Sequence, residues 1–575
     1  MKRCFASQFF FGESKGMKNR FLIFNVVVLM VVSLALPCMA LPDGVDPRDM
    51  LSKETILASM WEADISQIRE AYAQNLFTCT ELTAYYLERI EVYNETYNCF
   101  ITLCKDALEQ AALRDEEIAS GVTDKLLLGI PIVIKDNIDY AGYYTTNGNK
   151  KRDSRVAYSN ATIVDYLLEQ GAVIIGKTNM STGAVDHFAS KSLAVGETKN
   201  AYNPQLSSAG SSGGSASAVS LNFSVGGIGT DTNSSLRLPA AFNGGVSMRV
   251  TVKSLSTKGI TPNDTARDVP GVITRTVMDQ AIILDAMSGG HTNYAENLNG
   301  DALTGLRIGV LKEFVSSGVW GRNERNIDPE IMEAFDRAVE ELRQCGVEIV
   351  EVSIPTVFDW AYSTYSEGSS YIPKMYKVIE SAFAAADVSA VIFPSYLSTP
   401  LRTGYDDNGK YWYPSGQTMI NNTSKFSSCS GLPEIVVPIG QHSLGAGIGM
   451  EIAALKNEEQ LLLDIAYSYT LRYDHRPQTE NAPDLYAEHY KGNVYELLDQ
   501  VETAWMESQT EPETEPTQQS TEESTAPVTE PEPEPIQPTK PQTNNTRWVA
   551  CAVLVPAGIA VAICIKRKMK KIEAV

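Results

Sequence analysis

Along the chain, segments with apolar residues at helical spacing alternate with short apolar runs. Apolar residues recur at helical spacing in 54–118, 161–171 and 328–345, which predicts helices there. Thr80 precedes one periodic stretch and is a candidate N-cap. Short, nearly continuous apolar runs predict buried strands at 126–139, 172–178, 306–311, 347–355, 390–394 and 434–440. This alternation predicts an α/β fold with a mixed, mostly parallel central sheet that helices cover on both faces.

The N-terminal region has the layout of a secretory signal peptide. An apolar run at 21–36 follows the basic residues Lys15, Lys18 and Arg20, and a small-x-small ending, Cys38-Met39-Ala40, comes after it. This order of basic, apolar and small residues predicts a signal peptide over 1–40 that is cleaved after Ala40. The alternative is an uncleaved membrane anchor, which the shortness of the apolar run disfavours.

The C-terminal region predicts a stalk and an anchor. Residues 507–546 are rich in Glu, Pro, Thr and Gln, so they are expected to form a disordered stalk. The segment 547–565 includes 18 consecutive uncharged residues and predicts a transmembrane helix, and 566–575 predicts a basic cytoplasmic tail. These features leave 41–506 as a folded body outside the cell, in a protein that is expected to be secreted and anchored at the surface.

A short motif beside the predicted anchor suggests a further attachment. Residues 540–544 have the sequence KPQTN, which resembles the sorting signal of Gram-positive surface proteins. The resemblance implies processing by a sortase and attachment to the cell wall, as an alternative to simple membrane anchoring.

Composition excludes several function classes. The formal net charge of -22 argues against nucleic acid as a partner, because phosphate binding needs a basic face. The chain has nine cysteines and no CxxC pair, so it shows no pattern of metal ligands. Neither a metal nor another cofactor is expected.

Three segments of the body have compositions that point to chemistry. The segment 207–217 is SSAGSSGGSAS, and its position between ordered elements argues against a flexible linker. The segment 227–245 also places serines in a turn, between Asp231 and Arg237. Lys135 ends an apolar strand, where burial would favour the neutral amine that a base requires.

Together these segments resemble the amidase signature family. The similarity lies in LLLGIPIVIKDNID (126–139), AGSSGGSASA (209–218), GTDTNSSLRLPAAFNG (229–244) and GLPEIVVPIG (431–440). It implies that Ser235 is the nucleophile, that Ser211 is a bridging serine held by a cis peptide bond, and that Lys135 is the base. It further implies an oxyanion hole and supporting positions; these are Thr232, Asn233 and Ser234, and then Asp231, Arg237 and Ser212.

The implied reaction is chemically consistent. Neutral Lys135 can accept the Ser235 proton through the Ser211 hydroxyl, which both donates and accepts. Backbone N–H groups of the nucleophile loop would stabilise the oxyanion. We therefore expect a hydrolase of linear amides, which acts on a small-molecule or peptide amide through an acyl-enzyme. Subunits of tRNA-dependent amidotransferases fit less well if the body lies outside the cell.

Two other interpretations compete with this one. Ser212 is the centre of a G-x-S-x-G sequence, which is typical of α/β-hydrolases but needs a later acid and a histidine, for which His442 is a candidate. The body could also be a degenerate amidase fold that acts as a surface binding protein. Asn233 and Ser234 stand where the family pattern has two glycines, so the loop would be strained if it needs positive φ.

Overall fold

The computed structural model describes residues 52–316, 318–320, 323–325, 327–357, 368–398, 400, 402–403, 425–478 and 482–485. An 11-stranded sheet organises them, in the order β1-β5-β2-β8-β10-β9-β16-β17-β15-β11-β14. Its strands are β1 Phe100–Leu103, β2 Pro131–Lys135, β5 Val173–Thr178, β8 Gly226–Asp231, β9 Val246–Arg249, β10 Val269–Thr274, β11 Arg307–Leu311, β14 Glu348–Val352, β15 Ala390–Pro394, β16 Glu434–Gln441 and β17 Gly447–Ala454. Three two-stranded ribbons lie outside it: β3 Tyr144–Thr145 with β4 Arg155–Val156, β6 Lys191–Ser192 with β7 Gly196–Glu197, and β12 Gly318–Trp320 with β13 Asn323–Arg325.

The described α-helices are mostly short. They are α1 Lys53–Ser59, α2 Ile65–Ala73, α3 Cys79–Tyr97, α4 Ala107–Ala119, α5 Thr162–Glu169, α6 Gly213–Ser220, α7 Arg237–Phe242, α8 Val277–Met287, α9 Lys312–Val315, α10 Pro329–Gln344, α11 Ile372–Ala386, α12 Lys425–Ser428 and α13 Glu459–Thr470. Single turns of 3₁₀-helix lie at Lys151–Asp153, Thr182–Ala184 and Gly368–Tyr371.

Helices and loops cover both faces of the central sheet. Successive strand residues point to opposite faces. Every residue of β2, β5, β8, β10, β15 and β17 is nevertheless buried. The predicted α/β class with a large mixed sheet is therefore confirmed.

The expected predominance of parallel strands is wrong. Six of the ten neighbouring strand pairs run antiparallel, and four run parallel. Parallel pairs occur where a helix connects the strands, as α10 does between β11 and β14. In the middle of the sheet, β16 and β17 are joined by a short turn and so pair antiparallel.

The structure also corrects the membrane part of the predicted fold class. Within the described residues, no helix has both the length and the apolar character that a membrane span needs. The longest of these helices, α3, has 19 residues but includes four glutamates and an arginine. The prediction of a transmembrane helix is therefore not supported. The segments 1–40, 507–546, 547–565 and 566–575, on which the predictions of signal peptide, stalk, anchor and tail fell, lie outside the described residues.

Candidate active site

The sheet brings the lysine and the nucleophile loop to one edge. Strands β2 and β8 are parallel neighbours, with Ile134 opposite Ile228. The carboxyl ends of parallel neighbours lie at the same edge of a sheet, so Lys135 at the end of β2 lies beside the loop that follows Asp231. Helix α6 packs on β8 and β2, and Ser211 lies two residues before its first residue, Gly213. Three segments that are distant in sequence thus meet at one place.

The Gly/Ser-rich segment is part of the core, as its position between ordered elements indicated. All residues of 207–217 are buried. A side chain on Gly214 would collide with the backbone of Asn179, so glycine is required for this close approach. The peptide bond between Gly210 and Ser211 is cis, as the resemblance implied.

Lys135 and Ser211 are in direct contact. Lys135 Nζ donates to Ser211 Oγ at 2.7 Å and to Thr230 Oγ1 at 2.9 Å. Both Lys135 and Ser211 are fully buried. In the described part of the chain, no carboxylate lies within ion-pair distance of this amine. Burial lowers the pKa of Lys135 to about 7, although Asp231 and Asp268 act in the opposite direction.

Thr230 is a member of this site that sequence reasoning missed. Its hydroxyl accepts from Lys135 and from Asn137 Nδ2, the latter at 3.1 Å. Thr230 and Asn137 line a small pocket, together with Thr232 and Asp268. Thr230 is the last residue before Asp231 in the quoted motif, so only its place in that motif could have signalled its role.

The loop that carries Ser235 is buried and held from several sides. Ser235 is 3% exposed, and its carbonyl accepts from the N–H of Ser212 at 3.2 Å. Thr232 Oγ1 donates to Asp268 at 2.6 Å. Asn233 Oδ1 accepts from Arg267 at 3.0 Å. The hydroxyl of Ser234 has no partner among the described residues.

The replacement of two glycines in this loop causes no backbone strain. Neither Asn233 nor Ser234 occurs among the described non-glycine residues with positive φ. The loop therefore accepts side chains at both positions, and the strain that the family pattern suggested is absent there.

Asp231 and Arg237, which the resemblance gave as supporting positions, contact each other within a larger buried network. Arg237 Nε contacts Asp231 Oδ2 at 3.2 Å. Arg249 also contacts Asp231, at 3.0 Å, and Glu434 and Glu451 both contact Arg237. Burial would raise the pKa of Asp231, but the two guanidinium groups outweigh it and lower that pKa. No local sequence pattern identifies Arg249, Glu434 or Glu451 as members of this network, and the two glutamates come from strands about 200 positions away.

The contacts of Ser212 argue for a supporting role. Its Oγ donates to the carbonyl of Thr230 at 3.3 Å. His442, the histidine of the α/β-hydrolase alternative, instead contacts Asp328 through Nε2 at 3.3 Å and accepts from Leu444 N–H through Nδ1. Nothing in these contacts joins Ser212 to His442 as a nucleophile and its base.

Comparison with known proteins agrees with this architecture. The family described as Amidase matches residues 81–371. A curated relative, a glutamyl-tRNA(Gln) amidotransferase subunit of Thermoanaerobacter pseudethanolicus, is 32% identical over 497 residues, which are 73% of this chain and 98% of the relative. The native peptide amidase of Stenotrophomonas maltophilia superposes with a TM-score of 0.62 at 25% identity, over 73% of this chain and 99% of that one.

A second solved structure gives the same result. The peptide amidase PAM in complex with the competitive inhibitor chymostatin superposes with a TM-score of 0.62 at 26% identity and similar coverage, 73% of this chain and 99% of that one. The chain therefore belongs to the amidase signature family. At the level that the family defines, the protein is a hydrolase that acts on carbon–nitrogen bonds.

These comparisons also correct the predicted location. The chain was expected to be secreted and anchored at the cell surface. The relatives named above are peptide amidases and one component of an amidotransferase, and no described helix is suited to span a membrane. The predictions of surface location and of a membrane partner are not supported by these findings.

Proposed function

We propose that the protein hydrolyses linear amides through a covalent acyl-enzyme, with Ser235 as nucleophile, Ser211 as bridging hydroxyl and Lys135 as base. The observation that carries the proposal is the buried contact of 2.7 Å between Lys135 Nζ and Ser211 Oγ. A lysine without a carboxylate partner in a dry site is readily neutral, and a neutral amine accepts protons. In the proposal, the Ser211 hydroxyl carries protons between this amine and Ser235, because a hydroxyl both donates and accepts.

The proposed reaction has two halves. Ser235 Oγ attacks the amide carbon, while its proton passes to Ser211 and the Ser211 proton passes to Lys135. The C–N bond then breaks, and Lys135 returns a proton through Ser211 to the leaving nitrogen. Water then attacks the acyl carbon while its proton passes through Ser211 to Lys135, the bond from that carbon to Ser235 Oγ breaks, and Ser235 regains the proton by the same route. Backbone N–H groups of Thr232 to Ser235 would stabilise both oxyanions, at about 3 kcal/mol for each donor.

The proposed substrate class is supported by the comparison with solved structures. The similarity to two peptide amidase structures supports a peptide amide or another small amide. The release of ammonia or an amine from a panel of such amides tests this. Ser235→Ala should abolish release and Ser212→Ala should reduce it far less. A silent wild-type protein would favour the alternative, a degenerate amidase fold that only binds.

A second candidate function has its own support. The relative at 32% identity is named as part of an amidotransferase. Sequence reasoning disfavoured this role on the ground of an extracellular location, and that ground is no longer supported. Transfer of an amide nitrogen to glutamyl-tRNA(Gln), in place of free release from peptide amides, would identify it.

A further inference from the structure

The network beneath the nucleophile loop contains an unequal number of charges. Asp231 from β8, Glu434 from β16 and Glu451 from β17 face Arg237 from α7 and Arg249 from β9, and all five side chains are fully buried. Three carboxylates against two guanidinium groups would leave one uncompensated negative charge. An uncompensated charge in the interior is costly, and a carboxyl group avoids that cost by binding a proton.

The geometry identifies the two carboxyls that hold this proton. Asp231 is contacted by both guanidinium groups, which favour its ionised form. Glu434 and Glu451 instead contact the same atom of Arg237, Nη1. They lie on adjacent strands: β16 and β17 place Val436 opposite Glu451, so Glu434 is its diagonal neighbour.

The remaining oxygens of the two glutamates fit a shared proton. Glu434 Oε2 and Glu451 Oε1 are buried and receive no hydrogen from other described groups. A hydrogen bond between the two carboxyls satisfies both and requires that one of them is protonated. Burial and the neighbouring Glu434 raise the pKa of Glu451, and Arg237 only partly opposes them.

We propose that Glu434 and Glu451 share one proton, and that this pair positions Arg237 beneath the nucleophile loop. Arg237 lies two residues after Ser235, and its Nη2 donates to the carbonyl of Asn233 at 3.1 Å. Arg237 thus joins the loop to β16 and β17 through the two glutamates. The positioning role rests on the proposed function, whereas the shared proton does not.

Unfolding measured against pH tests the shared proton. We compare the full chain with Glu451→Gln, Glu434→Gln and the control Glu95→Gln, whose residue is exposed on α3. The folded wild-type protein would hold a proton that the unfolded chain has lost above its ordinary carboxyl pKa. Its unfolding constant should therefore rise relative to that of either glutamine variant, about tenfold for each pH unit between pH 5.5 and 7.5.

The outcomes of this experiment separate the possibilities. The quantity compared is the unfolding constant of the wild-type protein divided by that of each variant. The shared proton is supported if this ratio rises with pH for Glu451→Gln and Glu434→Gln and stays flat for Glu95→Gln. A flat ratio for the network variants overturns it. If one glutamine variant does not fold, the other gives the same test. The infrared band of a protonated buried carboxyl in the wild-type protein at neutral pH is an independent readout, and its absence overturns the proposal.

Kinetics test the positioning role. Glu451→Gln keeps a polar group for Arg237, and Glu451→Leu removes it at similar volume. We expect kcat to be about tenfold or more lower in the leucine variant than in the glutamine variant, with KM changed much less. Equal kcat values would overturn the positioning role. An inactive wild-type protein that still passes the unfolding test would contradict the proposed function and leave the shared proton intact.

Discussion

Lys135 Nζ lies 2.7 Å from Ser211 Oγ, and neither side chain is exposed. The contact joins the end of β2 to Ser211, two residues before α6, where no carboxylate of the described residues lies within ion-pair distance of the amine. A lysine in these surroundings is held near neutrality by desolvation, which suits a base.

The activity should therefore depend on pH through Lys135. Because burial lowers the pKa of Lys135 to about 7, the amine gains its proton below that pH and can no longer act as base. We expect kcat/KM to rise about tenfold for each pH unit on the acid side and to level off above about pH 7. A midpoint near that of an ordinary lysine would contradict the assignment.

The same lysine should also make stability depend on pH. The pKa of Lys135 is lower in the folded protein than in the unfolded chain, so the unfolded chain binds more protons between about pH 7 and 10. The contribution of Lys135 to stability should therefore rise with pH across this window, by about 1.4 kcal/mol for each unit. Denaturant unfolding of Lys135→Met should lack this slope. Lys258→Met, at an exposed position, should retain it.

The three proposed catalytic residues should behave as one unit. Ser235→Ala removes the nucleophile and Lys135→Ala removes the base, so each should lower kcat by ~10³-fold or more. Ser211→Ala interrupts the proton route, and a water that takes its place would leave some activity. The triple variant should be little worse than Ser235→Ala, because such effects are not additive.

Ser212→Ala is the matched control for that series. It removes the hydrogen bond to the carbonyl of Thr230, so we expect a loss of about 1 kcal/mol in stability and a small change in kcat. The opposite ranking, with Ser212 essential and Ser235 dispensable, would revive the α/β-hydrolase interpretation.

Glycine at positions 233 and 234 should not improve the enzyme. Neither residue has positive φ, so glycine relieves no strain, and it removes the hydrogen bond from Arg267 to Asn233. We expect the double variant Asn233→Gly with Ser234→Gly to unfold about 2 kcal/mol more easily, through the lost bond and the greater freedom of the unfolded chain. Steady-state kinetics measure kcat, and denaturant unfolding measures the free energy of unfolding. A large gain in kcat would show that the natural loop is impaired.

Local patterns located the segments that meet at the candidate site better than they predicted the strand directions of the sheet. Lys135, Ser211 and Ser235 each lie in a distinctive segment, and the fold brings these segments together. The capping residue of α3 was misplaced: Thr78 forms a capping box with Glu81, whereas Thr80 instead contacts Asp115. Thr78 and Thr80 are both threonines near the start of this helix, and only the reciprocal hydrogen bonds with Glu81 show which of them is the cap.

Long-range relationships were beyond the sequence patterns. An apolar run predicts a buried strand but not the direction of its neighbour, so β16 and β17 could not be assigned as antiparallel from composition. Glu434 and Glu451 interrupt apolar strands without any local sign of a partner, because Arg237 is about 200 positions away. Buried charge networks of this kind depend on tertiary packing.

Covalent labelling tests the central claim most directly. A fluorophosphonate or sulfonyl fluoride reacts with an activated serine, and mass spectrometry of the digested protein locates the adduct. The account predicts one adduct, on Ser235, that forms faster as Lys135 loses its proton and disappears in Lys135→Ala. An adduct on Ser212, or no adduct on the folded wild-type protein, would contradict it.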